Sequence, residues 1–84
     1  MKGLSKMTML RTVYLEKIVP EKHEDKFYQV DLEQEDETFK VTSTWGARSG
    51  RKPSSKVWYE GHEQHEAIKK YDSLVQGKTK EGYE

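Results

Sequence analysis

The chain has 84 residues, 15 Lys and Arg against 15 Asp and Glu, and formal net charge +0. It has no cysteine, which excludes a disulfide framework, a thiolate zinc site and a cysteine nucleophile. A chain this short makes one small domain that buries only about 60–65% of its unfolded surface. It must be held together by packing alone. Hydrophobic residues are only 32%, yet two Trp, five Tyr and two Phe argue for a folded core rather than a disordered chain.

The expected organisation is a single domain over residues 1–84, with a flexible start at 1–8 and a polar tail at 78–84. No stretch approaches the ~20 apolar residues of a membrane-spanning helix. The first ten residues lack an apolar segment of signal-peptide length. A soluble, cytoplasmic protein is the expectation.

Arg11 to Val19 is rich in β-formers (Val13, Tyr14, Leu15, Ile18, Val19) and stops at Pro20. Glu21 to Asp25 reads as a charged turn. Phe27 to Glu33 alternates, with Tyr28, Val30 and Leu32 on one face and Gln29, Asp31 and Glu33 on the other, as in a half-buried strand. Gln34 to Glu37 is an acidic hairpin turn. Thr38 to Trp45 alternates again, with Phe39, Val41 and Trp45 on one face. Gly46 to Ser54 reads as a loop, from its two glycines, its serines and Pro53.

Ser55 to Glu60 is a short fourth strand. If its Val57 and Tyr59 face the core, Trp58 and Lys56 lie together on the outer face. The period then changes. From His62 to Gln76, the residues Ala67, Ile68, Tyr71, Leu74 and Val75 form one helical stripe, and Gly77 is the expected stop. Tyr83 is expected to anchor the tail by packing. The predicted fold is α+β: a four-stranded antiparallel meander with one C-terminal amphipathic helix on one face.

The neutral total hides a segregation of charge. Glu16 to Glu37 holds nine acids and three bases, whereas Thr38 to Tyr59 holds five bases (Lys40, Arg48, Arg51, Lys52, Lys56) and no acid. Such a layout lets one face attract polyanions while another repels them, although charge runs are also the ordinary dress of a solvated surface.

Within the basic stretch, Trp45-Gly46 is followed by Arg48, Arg51, Lys52 and Lys56. Cations that neutralise phosphates release condensed counterions. An aromatic face stacks on any base or sugar edge. A glycine admits close backbone approach. Packing in the core is the competing role for Trp45, and the two agree if one edge stays exposed. No helix presents an array of Arg, Asn or Gln for reading base edges, so binding is expected to be non-specific or selective for structure.

No catalytic residue, metal ligand set or cofactor is expected. His62, His65 and Glu66 share a helical side, but the histidines stand three apart rather than the four of the zinc-protease pattern. A solvated first turn explains them better. No Gly-x-Ser-x-Gly elbow or phosphate-binding glycine loop is present.

Three stretches in this order and spacing resemble the WGR domain family. They are Phe27-Tyr28-Gln29-Val30-Asp31-Leu32, Thr44-Trp45-Gly46 with Lys56 beyond the loop, and Lys78-Thr79 with Gly82-Tyr83 after the helix. The resemblance covers roughly residues 10–83. Members occur as small standalone bacterial proteins, beside bacterial regulators, and inside DNA-dependent poly(ADP-ribose) polymerases.

The resemblance implies a non-enzymatic module that binds nucleic acid, DNA rather than RNA, with Trp45 stacking on a terminal nucleotide and Lys56 near the backbone. It leaves a protein–protein docking module as the alternative. The third position of the name motif is Ala47 here. Either Arg48 takes the arginine's role through a one-residue shift, or that contact is missing. Arg51 and Lys52 join the candidate site on charge alone, and Gly46 with the motif.

Overall fold

The computed structural model describes residues 7–50 and 52–84. Four strands, β1 (Met7–Val19), β2 (Glu24–Glu35), β3 (Thr38–Ala47) and β4 (Ser54–Gly61), pair antiparallel in chain order, and one helix, α1 (Gln64–Lys80), packs on one side. The predicted α+β meander is the observed fold. Residues 1–6 of the expected flexible start lie outside the described residues, and Met7 and Thr8 already belong to β1.

β1 ends where Pro20 cannot continue the ladder; Pro20 instead opens a short 3-10 turn, Pro20–Lys22. His23 then takes a left-handed conformation, φ 56°, to start β2. Asp36 does the same at φ 56° in the two-residue turn between β2 and β3. A short polar side chain tolerates that region.

The period-2 reading of β2 and β3 fixes the core. Tyr28, Val30 and Leu32 of β2, Phe39, Val41 and Ser43 of β3 and Leu15 of β1 are buried under Ala67 and Tyr71 of α1. Ile68, Leu74 and Val75 flank the helical contact. Among the described residues the opposite face of the sheet carries no helix.

Two expectations change. Gly77 does not stop the helix, which runs on to Lys80. A Cβ at Gly77 would meet nothing within 4 Å, so glycine is merely accommodated there. The stop is one turn later. The Gly82 N–H donates to the Thr79 carbonyl and the Tyr83 N–H to the Lys78 carbonyl, with Gly82 at φ 104°. That pair of bonds is a Schellman cap. It turns the chain so that Tyr83 packs into the core, as expected, at 8% exposure.

The second change is in β4. Val41 pairs with Tyr59 but Thr42 pairs with Val57, which leaves Trp58 as the extra residue of a bulge. Val57 is therefore exposed on the bare face, while Trp58 and Tyr59 both pack towards the core. The outer-face expectation for Trp58 and Lys56 is corrected: they do lie together, but on the helix side.

Candidate nucleic-acid interface

Strand alternation sorts charge as well as apolarity. On the helix side, Leu15 brings Arg11, Val13 and Lys17 with it, and Tyr28 brings Lys26 and Glu24. On the bare side stand Glu16, Asp25, Asp31 and Glu33, with Lys40 opposite Glu33. Contacts agree with this sorting. Arg11 reaches Asp72 at 3.5 Å and the Tyr71 ring of α1, and Lys17 approaches the Tyr83 ring at 5.8 Å.

Trp45 sits at the end of β3 between Tyr28 of β2 and Ser54 of β4. Its ring lies 6.0 Å from that of Tyr28 at 25°, half-buried against the core. Trp58 lies beside it. The indole N–H of Trp58 donates to the Ser43 hydroxyl at 2.8 Å, which satisfies a fully buried polar side chain. The Lys56 ammonium stands 4.0 Å above the Trp58 ring, a cation–π distance. No carboxylate pairs with Lys56 among the described residues.

From the other side, the last turn of α1 delivers Lys78, whose ammonium lies 4.6 Å from the Tyr28 ring centre and 5.6 Å from that of Tyr83. Lys78 also bonds Glu81 at 3.2 Å. Tyr28, Trp45, Trp58, Lys78 and Tyr83 line one open cleft of about 160 Å³. Aromatic faces and ammonium groups are thus presented together at the loop end of the helix side. Glu24, the acid on that side of the sheet there, is within 4.0 Å of Lys17 and 3.8 Å of Lys26.

The candidate residues do not all converge. Gly46 is still in β3, opposite Phe27, where a Cβ would make ordinary contacts with Phe27 and Pro53. Lys52 is exposed on the loop, and Arg51 lies outside the described residues.

Arg48 turns to the bare face. Its Nε meets Glu16 Oε2 at 3.2 Å, its Nη1 meets Asp25 Oδ1 at 3.0 Å, and its backbone N–H donates to the Asp25 carbonyl. Asp25 first and Glu16 second hold its guanidinium more firmly protonated than usual. Lys78, Trp58, Tyr28 and Tyr83 are the cleft residues that were not among the sequence-based candidates. The Lys78-Thr79 pair was visible in the sequence, but placing it in the cleft required the helix to pass Gly77.

Among the described residues no group of three or more His, Asp or Glu is placed to hold a metal ion. No helix there is long and apolar enough to cross a membrane. His62 uses Nδ1 to meet the Glu37 carbonyl at 3.0 Å.

No curated protein and no solved structure significantly matches the chain. The family model described as WGR domain matches residues 11–84, strand β1 to the capped end of α1, and the chain therefore belongs to the WGR domain family.

Proposed function

We propose that this protein is a non-enzymatic module that binds DNA, without base specificity, through the helix-side cleft at the end of β3. WGR domains are known as nucleic-acid-binding modules in poly(ADP-ribose) polymerases. The observation that carries the proposal is the convergence of Trp45, Trp58 and Lys78 from three separate elements onto one open cleft, with the Lys56 ammonium over the Trp58 ring beside it.

Trp45 offers its exposed edge and face to a terminal nucleotide, a contact worth about 1–3 kcal/mol. Lys56, Lys78 and the loop's Lys52 neutralise phosphates. Gly46 keeps the backbone beside Trp45 slim. Arg48 is assigned away from the contact, because two carboxylates already occupy its fork on the other face. Arg51 remains a candidate on charge alone. The proposal includes a cytoplasmic location, no cofactor, and DNA rather than RNA as partner.

An NMR titration of labelled protein with a short blunt duplex tests it. At low salt the Trp45 indole and the amides around Lys56 and Lys78 shift, and the shifts fade as salt is added. An unresponsive spectrum at low salt, where attraction is strongest, would overturn the reading. Shifts confined to the bare face would place the contact elsewhere.

A further inference from the structure

The six large hydrophobic side chains that stay exposed among the described residues are not scattered. Met7, Met9, Leu10, Tyr14 and Ile18 belong to β1, and Val57 to β4. Met7 and Met9 pair with Glu35 and Glu33 of β2, and Tyr14 and Ile18 with Gln29 and Asp25. All of these partners turn to the bare face, so the four side chains form a column along the outermost strand. Tyr14 also stacks on Phe27, 5.5 Å between centroids at 7°, which holds its ring in place at 50% exposure.

The backbone of that strand is open too. β1 is an edge of the sheet. At Glu16 its outer side is already used: the Glu16 N–H donates to the Glu84 carbonyl and the Glu84 N–H to the Glu16 carbonyl, each 2.8 Å. Reciprocal bonds of this kind define a closely spaced antiparallel pair. The outer side of β1 thus accepts extended chain. By the two-residue period, the N–H and C=O of Thr12 and Tyr14 point the same way, and among the described residues no strand covers them.

The other edge is guarded. Pro53 precedes β4, Lys56 and Glu60 lie within it, and the Trp58 bulge distorts it. These are the usual defences against unwanted pairing. From Met7 to Leu15, β1 has a single charge, Arg11, and that is turned to the helix side against Asp72.

We propose that a second copy of this chain pairs here. The two β1 strands lie antiparallel through Thr12 and Tyr14, about a two-fold axis perpendicular to the sheet near Val13. The two sheets become one of eight strands, with both helices on one side.

A two-fold pairing is self-complementary by construction. In this register each Thr12 faces the other copy's Tyr14. Each Arg11 faces a leucine, so no like charges meet across the pair. Within the paired segment, the exposed Tyr14 rings of the two copies come diagonally together on the bare face. The Glu84–Glu16 bonds mark where the pairing stops.

Sedimentation and residue-resolved amide exchange test this without any ligand. Mass should rise with concentration from 9.9 kDa towards twice that value. The amides of Thr12 and Tyr14 should exchange more slowly where the dimer dominates. Tyr14→Lys puts a charge in the apolar seam, and Thr12→Pro removes an outward donor that an edge strand can spare. Each should weaken dimerisation more than about tenfold.

Mass that stays at one chain up to about 1 mM, the weak end of useful affinities, overturns the proposal. So does a dimer in which both amides exchange as fast as in the monomer. A dimer that survives both substitutions has the same meaning.

Discussion

Two glycines within six residues play opposite parts. Gly82 sits at φ 104°, where a Cβ is strained, even though the added atom would only touch the flexible end of Lys17 at 3.4 Å. Gly82→Ala should cost about 1–2 kcal/mol, lowering Tm and loosening Tyr83 from the core. Gly77 is in open helix. Gly77→Ala should add about 0.5–1 kcal/mol by the difference in helix propensity. Thermal melts of the two variants check both, and the pair is diagnostic because the signs differ. If Gly77→Ala were the damaging change, the helix would end where the sequence alone suggested.

That contrast also shows what sequence reasoning could and could not reach among the elements. β2 and β3 were legible because each alternates cleanly and has one buried face, so their core residues followed from period alone. The helix was legible from Ala67 to Val75 for the same reason. Its end was not, because two glycines offered a stop and only backbone conformation distinguishes them. The β4 bulge was invisible too. It inserts one residue, and strict alternation then assigns Lys56, Val57 and Trp58 to the wrong faces.

The cleft depends on both misread points. Trp58 enters it through the bulge, and Lys78 enters it through the extra helical turn. Trp45 and Lys56 were found from the motif and the loop. Arg48 was indistinguishable from its neighbours until Glu16 and Asp25 came beside it. The bulge has its own test. Ser43→Ala removes the acceptor for the Trp58 indole N–H. It should cost about 1–2 kcal/mol, because a half-buried donor loses its partner. The Trp58 indole proton should then exchange faster with solvent, read by NMR, while β2 keeps its protection.

At the scale of the whole molecule, a chain of net charge zero would be expected to ignore a polyanion. What changes that is the alternation of strands, which sends Lys17, Lys26 and Lys56 to one side and Glu16, Asp25, Asp31 and Glu33 to the other. The helix adds Lys78 to the first side. Over distances comparable with the Debye length, about 10 Å at 0.1 M salt, a ligand feels the nearer face rather than the total.

Position and charge can therefore be separated by experiment. Lys56→Gln, Lys78→Gln and Arg48→Gln each remove one positive charge from the chain. If phosphates sit on the helix side, the first two should each flatten the slope of log affinity against log salt for duplex DNA by about 0.9. Arg48→Gln should leave that slope alone and lower stability only slightly instead, since its two ion pairs are exposed.

Three phosphate contacts, at Lys52, Lys56 and Lys78, predict a parent slope near −2.7. Equal losses in all three variants would mean that net charge alone governs binding. A loss at Arg48 only would move the interface to the opposite face, onto the acidic side, where attraction to DNA has no electrostatic source.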